Sequence, residues 1–147
     1  MEGVFFRCPP LWERLLPPGV VGAERADALA ERCWPLLALT RRGCEELGDT
    51  AALCRVLLVP GEWAPSLDRI TAETVVTYGL SHRDSLTLSS LAEPVLCVQR
   101  RLPRPDGGVV EPQEFPLPDL PGPAAELLPL LGTRLLQLPQ TRDALLW

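Results

Sequence analysis

The chain contains no lysine and no asparagine, and all 14 of its basic residues are arginine. A lysine Schiff base, a pyridoxal-phosphate anchor and a phosphate-loop lysine are therefore impossible. Without asparagine there is also no acceptor for N-linked glycosylation. These two absences exclude several kinds of covalent and phosphoryl-transfer chemistry before any motif is considered.

Histidine is almost as scarce, because His82 is the only one. Cysteines stand at positions 8, 33, 44, 54 and 97, and no two of them form a Cys-x-x-Cys motif. His82 is far from every cysteine in the sequence, so we expect no metal site. An odd number of cysteines without such a motif is typical of reduced thiols. We expect them to be mostly buried in a cytoplasmic protein.

Long apolar runs are absent too. No stretch approaches the ~20 residues that a membrane-spanning helix needs, so we expect no membrane association. The apolar residues near the start lie between Glu2 and Arg7, which predicts that there is no signal peptide. The net charge of −5 argues against nucleic acid as a partner, since phosphate contacts need clustered positive charge.

The rest of the composition is that of an ordinary globular protein, with 147 residues of which 46% are apolar and 22% charged. This length predicts a single domain over 1–147 with its own hydrophobic core. The 17 prolines, the abundant leucine and alanine and the use of arginine alone are typical of a GC-rich genome.

Hydrophobic periodicity divides the chain into three parts. Residues 1–53 are predicted to be mainly helical, with a helix over 22–40 that Pro35 kinks or ends and a second helix over 44–52. Residues 54–118 are predicted to be mainly strands, and residues 119–147 to be a helix and a tail that packs through Trp147. The predicted strands cover 54–59, 74–78, 85–91, 95–100 and a hairpin arm at 109–115, and the last helix covers 124–138. The fold class is therefore α/β, or α+β, with a mixed sheet of about four or five strands, N-terminal helices and a C-terminal helix.

The densest polar segment is 78–85, which follows a predicted strand, where α/β proteins usually place ligands. One interpretation is catalytic: His82 is the general base, Asp84 or Asp68 orients it, and Ser81 or Ser85 is the nucleophile. The other interpretation is a polar turn between two strands, in which Gly79 supplies an unusual backbone conformation.

Other candidate binding groups lie outside this segment. Trp63, in a loop between prolines, is a candidate contact residue, as an exposed tryptophan often is. Two arginine clusters, Arg41-Arg42 and Arg100-Arg101 with Arg104, can each bind a phosphate or carboxylate or can be ordinary surface arginines. The strand over 85–91 alternates leucines with hydroxyl side chains, as in a half-solvated antiparallel strand.

Residues 74–81 have the sequence Thr-Val-Val-Thr-Tyr-Gly-Leu-Ser. This segment resembles a strand that occurs late in the central domain of Mur ligases, the ATP-dependent amino-acid ligases of peptidoglycan synthesis. The similar order of elements covers about residues 50–135, and Tyr78 and Gly79 carry over as structural residues. The chain lacks the family's Gly-Lys-Ser/Thr phosphate loop, and Pro60-Gly61-Glu62-Trp63 stands where the family has an Asn-x-Asp-Asp type motif. The resemblance implies a truncated, non-catalytic relative without a bound cofactor.

Two functional hypotheses follow. The first is a non-catalytic bacterial accessory or interaction domain that contacts another protein, or a second copy of itself, through the loop at 79–85 and the strand at 85–91. The alternative is a small enzyme or ligand-binding protein with a site around His82, Asp84 and Arg100. The binding candidates are Tyr78, Gly79, Ser85, Arg100 and Trp63. A recessed pocket with convergent polar groups around His82 would favour the alternative.

Overall fold

The computed structural model describes residues 3–90 and 92–138. Within these residues the chain is an α/β protein with one large, mostly parallel sheet. The strands are β1 (Gly3–Phe6), β2 (Val20–Ala23), β3 (Cys33–Leu39), β4 (Ala52–Pro60), β5 (Ile70–Tyr78), β6 (Leu86–Leu88), β7 (Val95–Val98), β8 (Leu102–Pro103), β9 (Val109–Val110) and β10 (Gln113–Pro116). The α-helices are α1 (Arg41–Leu47) and α2 (Ala124–Gln137), and short 3-10 helices cover Pro10–Leu15, Ala26–Glu31 and Ala64–Ser66.

The large sheet has eight strands in the order β10-β7-β6-β5-β4-β3-β1-β2. The strands from β2 across to β6 run parallel. Beyond them, β7 pairs antiparallel with β6, and β10 pairs antiparallel with β7. β8 and β9 form a separate small hairpin. The expectations of an α/β fold and a mixed sheet are therefore confirmed, but the expected four or five strands were too few.

The prediction of a helix over 22–40, and with it a mainly helical 1–53, is wrong. Residues 3–53 hold β1, β2, β3 and the start of β4, and the only helices described there are α1 and two 3-10 helices. Residues 34–39 are all buried. An uninterrupted apolar run of this length is typical of a parallel strand covered on both faces, and burial on both sides hides any strand periodicity. Pro35 lies in β3 at a position where the ladder with β4 has no pair.

Further along the chain the local patterns predict the elements more closely. The strands predicted at 54–59 and 74–78 lie within β4 and β5, and the helix predicted at 124–138 is α2. The predicted strand 85–91 is shorter, and the hairpin arm at 109–115 is divided between β9 and β10. Leu91 and the tail 139–147, including Trp147, lie outside the described residues.

Two hydrophobic cores cover the two faces of the parallel strands. The first lies between the sheet and α2, and the second lies beneath α1 and the 3-10 helix at Ala26–Glu31. Adjacent residues of β4 point into different cores: Val56 and Leu58 belong to the first, and Leu57 and Val59 to the second. Among the described residues, no helix is both long and apolar enough to cross a membrane.

Arg104, predicted as part of a basic surface spot, is instead a buried structural residue. It is 5% exposed, and its Nη1 donates to the carbonyl of Leu135 in α2 over 2.7 Å. Its Nη2 also lies 3.2 Å from Asp106 Oδ2. Arg104 therefore fastens the β8–β9 hairpin to the last turn of α2.

Replacing Arg104 with leucine should destabilise the protein by about 1–3 kcal/mol, because the buried Leu135 carbonyl would lose a charged donor. The matched control is Arg101→Leu on the same segment, since Arg101 is exposed and forms an exposed ion pair with Glu111. That control should change stability by no more than about 0.5 kcal/mol. Urea denaturation of both variants measures the difference, and equal midpoints would contradict the structural role of Arg104.

All five cysteines are free thiols, and they differ sharply in environment. Burial raises the pKa of Cys44 and of Cys54 to about 12, with smaller contributions from Glu45 at Cys44 and from Cys33 at Cys54. Burial also raises the pKa of Cys8 to about 12. Cys33 is exposed at the start of β3. Since the thiolate is the reactive form, the buried thiols should be inert.

At about pH 8, Ellman's reagent should react quickly with Cys33 in the folded protein and with Cys44 and Cys54 only on unfolding. The Cys33→Ser variant should lose the fast phase, whereas Cys54→Ser should retain it. Absorbance at the thionitrobenzoate band measures both phases. A fast phase of unchanged amplitude in Cys33→Ser would show that the exposed thiol is not the reactive one.

Candidate functional site

A pocket of about 880 Å³ lies at the carboxyl-terminal edge of the parallel sheet. β3, β4 and β5 all end there, and the residues that immediately follow them, Thr40, Gly61 and Gly79, line its floor. Small-molecule sites in open α/β sheets lie outside the carboxyl ends of the strands, and this volume is in the usual range for such sites. The remaining lining residues are Trp12, Arg41, Arg42, Pro60, Glu62, Tyr78, Leu80, Ser81, Arg83, Asp84, Ala125, Glu126, Leu128 and Pro129.

Tyr78 closes the pocket floor rather than taking part in proton transfer. Its hydroxyl donates to the carbonyl of Leu39 over 2.7 Å, which joins the ends of β5 and β3 across β4. Burial raises the pKa of Tyr78 far above its usual range, with a smaller effect from Cys44. A phenol that is held neutral and already donates a hydrogen bond is a structural group.

Asp84 is the most unusual group in the pocket wall. It is only 6% exposed and yet lines the pocket. Its Oδ2 accepts a hydrogen bond from the backbone N–H of Ser81 over 3.1 Å. Its Oδ1 accepts no hydrogen bond from a described residue, and no described cation forms an ion pair with it. Buried carboxylates are rare unless they are paired, and Oδ1 is not sealed off, so it can accept a hydrogen bond from water or from a molecule in the pocket.

Two glycines make room for this carboxylate. An ideal Cβ on Gly61 would overlap Asp84 Oδ1, and one on Gly79 would lie 2.5 Å from Oδ2. The two glycines follow Pro60 and Tyr78, which are paired at the ends of β4 and β5. The carboxylate therefore lies between two backbones that only glycine allows to approach it.

The loop that carries Asp84 is held by side chains from beyond β7. Gln99 Nε2 donates to the carbonyls of His82, over 2.9 Å, and Asp84, over 2.8 Å. Arg100 Nη2 donates to the carbonyl of Arg83 over 2.7 Å. Sequence reasoning missed Gln99, because nothing local shows that an amide fifteen residues away reaches this loop.

The predicted catalytic set does not come together. His82 is exposed and does not line the pocket, and its imidazole forms no hydrogen bond with Asp84 or with Ser81. Ser81 lines the pocket, but its hydroxyl accepts from the backbone N–H of Arg83. Asp68 lies next to the start of β5, at the opposite edge of the sheet from Asp84.

The predicted binding residues divide into two groups. Tyr78 and Gly79 line the pocket, whereas Ser85, Arg100 and Trp63 do not. Ser85 is buried, and its backbone N–H donates a hydrogen bond to Thr77 Oγ1. Trp63 is partly buried and packs against the second core. Thr87 is buried as well, so the half-solvated hydroxyl face predicted over 85–91 is wrong for this part of the strand.

Charges of both signs surround the pocket. Arg41 forms an ion pair with Glu62, and Arg42 Nε lies 3.1 Å from Glu46 Oε1. Both pairs are exposed, so each contributes little to stability and can exchange partners easily. The Arg83 guanidinium makes no hydrogen bond or ion pair with a described residue.

The opposite wall is apolar and comes from distant parts of the chain. Trp12 lies in the first 3-10 helix, where its ring meets Phe5 edge-on at 6.1 Å between centroids. The first turns of α2 contribute Ala125, Leu128 and Pro129.

Comparing the chain with protein-family models, curated proteins and solved structures gives no match. Within the described residues, no cluster of three or more histidine, cysteine or acidic side chains could hold a metal ion.

Gly61→Ala should destabilise the protein by about 1–3 kcal/mol, because the new methyl group must displace the Asp84 carboxylate. Adding Asp84→Ala should recover part of this loss, which a double-mutant cycle in chemical denaturation would measure as coupling. The control is Gly122→Ala, where a Cβ would have no neighbour closer than 4.0 Å. Additive effects of the Gly61 and Asp84 changes would contradict the close approach.

Proposed function

We propose that this chain is a non-catalytic binding domain that holds a small molecule in the pocket at the carboxyl ends of β3, β4 and β5. One observation carries the proposal. Asp84 is almost fully buried in the pocket wall, and its Oδ1 has no partner among the described residues. Burying a carboxylate costs free energy unless it is fully hydrogen-bonded. A buried carboxylate with one oxygen that the protein does not use is therefore typical of a ligand-binding site.

The arrangement of the other polar groups supports binding rather than catalysis. A general base must lie within hydrogen-bond reach of the group it deprotonates. The only histidine, His82, is exposed and does not line the pocket, and the Ser81 hydroxyl already holds the loop. The neutral Tyr78 phenol holds the sheet edge together. What remains in the pocket is recognition chemistry: the carboxylates of Asp84, Glu62 and Glu126, three arginines and an apolar wall.

This proposal joins the two hypotheses drawn from the sequence. It retains the expectation of a bacterial, cytoplasmic accessory domain. The resemblance to the Mur-ligase central domain would account for a pocket at the carboxyl edge of the sheet in a chain that has no phosphate loop. Of the expected contact surface, it keeps the loop at 79–85, most of which lines the pocket, and leaves out the strand at 85–91. Leu80 is 59% exposed on the pocket rim, where its apolar side chain could contact a partner protein, or a second copy of this chain, that covers the bound ligand.

A thermal-shift panel of amines, amino acids, nucleotides and sugar phosphates tests the proposal. A compound at about one hundred times its Kd should stabilise the folded state by about 2.7 kcal/mol, which raises Tm by several degrees. The pocket-filling variant Ala125→Trp should lose this shift. Ala124→Trp, on the same helical turn but outside the pocket lining, should retain it. No shift with any compound, or an equal shift in Ala125→Trp, would overturn the proposal.

A further inference from the structure

We propose that the ligand carries a protonated amino group on an apolar body, with an ammonium N–H donating to Asp84 Oδ1. This inference rests on the proposed function and names the class of molecule that the pocket takes. It starts from the hydrogen-bonding capacity of the carboxylate. An ionised carboxylate can only accept, and the loop uses one of its oxygens, through the Ser81 N–H.

In the structure, none of the three arginines that line the pocket contacts Asp84. Arg41 and Arg42, which also line the pocket, form ion pairs with Glu62 and Glu46. Arg83 is in the same loop as Asp84, and the structure shows no ion pair between them. The missing donor is therefore expected from a ligand. A charged donor suits this position best, because charge-assisted hydrogen bonds are about twice as strong as neutral ones.

The position of Oδ1 is costly to build and is not needed for the loop. The Ser81 contact uses Oδ2, and the loop is held in addition by Gln99 and Arg100. Yet Oδ1 occupies the place that a side chain on Gly61 would fill. The carboxylate is therefore buried between two glycine backbones, while its second oxygen remains free to accept a hydrogen bond from a ligand.

The apolar body of the ligand follows from the wall that faces the charged edge. Trp12 presents an indole ring that is fixed against Phe5. Leu128 and Pro129 are buried residues of α2 that nevertheless line the pocket, and Leu80 stands at the rim. A flat or branched hydrocarbon group between these side chains would remove apolar surface from water, while the amine reaches Asp84.

Three probes that share one apolar body separate the possible ligand classes. They are 2-phenylethylamine, the neutral 2-phenylethanol and the anionic 3-phenylpropionate. Binding is measured by NMR as the shift of the Trp12 indole N–H, assigned with Trp12→Phe, at physiological ionic strength so that the net negative charge of the protein is screened. The amine should bind at least about tenfold more tightly than the alcohol, and the carboxylate should bind most weakly.

Asp84→Asn should lower the affinity for 2-phenylethylamine to that for the alcohol and leave the affinity for the alcohol unchanged. Asp119→Asn is the matched control, because it removes an equal charge from an exposed loop outside the pocket lining. Circular dichroism checks that both variants fold. If Asp84→Asn does not fold, the comparison of the three probes on the unaltered protein still tests the inference.

Two results would overturn the inference in distinguishable ways. If the alcohol or the carboxylate moves the Trp12 signal with an affinity equal to that of the amine, the pocket is a binding site but the assigned ligand class is wrong. If none of the three probes moves the signal, the inference fails, and the thermal-shift panel decides separately whether the proposed function fails with it.

Discussion

Burial of β3 and β4 on both faces is the constraint from which the rest of the structure follows. Parallel strands in the middle of a sheet must be covered on both sides, so they are built from almost unbroken apolar runs. Residues 34–39 of β3 and 56–60 of β4 are all buried. No side chain capable of chemistry can lie within these runs. The polar groups of the pocket come mainly from the residues after the strands, and Thr40, Gly61 and Gly79 place the pocket there.

The helix that covers one face of the sheet also builds one wall of the pocket. α2 lies close to the strands because Gly132 has no side chain: a Cβ there would be 2.9 Å from Leu58 Cδ2 and 3.0 Å from Leu86 Cδ1. Arg104 fastens the far end of the same helix to the β8–β9 hairpin. With its last turns fixed in this way, the first turn of α2 reaches the carboxyl edge of the sheet, where Ala125 and Leu128 face the pocket.

The sequence predicts those elements whose pattern is local. β5 has a β-branched core bounded by glycine, and α2 follows a proline and has helical spacing, so both were predicted in nearly the right place. β3 was not, because a short, continuous apolar run has no period that separates a strand from a helix. Two-residue strands such as β8 leave no pattern at all. The large sheet has more strands than predicted chiefly because β1, β2 and β3 lie in the region that was predicted to be helical.

The candidate site shows the same division between local and long-range information. The segment 78–85 was recognised from its polar density, and Arg41-Arg42 from its charge. The importance of Asp84 depends on the pairing of Pro60 with Tyr78, which brings Gly61 and Gly79 to either side of its carboxylate. A register between two strands is a property of the sheet and cannot be inferred from either segment alone.

The buried carboxylate and the rigid loop are two parts of one arrangement. An unpaired acceptor in a mobile loop would turn towards water, since hydration satisfies it at once. Here Gln99 and Arg100 hold three consecutive carbonyls of the loop, at His82, Arg83 and Asp84, and so keep Oδ1 facing the pocket. A ligand then meets an acceptor that is already in position and does not have to order the loop on binding. In the proposed complex, the free energy spent on holding Asp84 in the folded protein would be recovered as affinity for a donor of opposite charge.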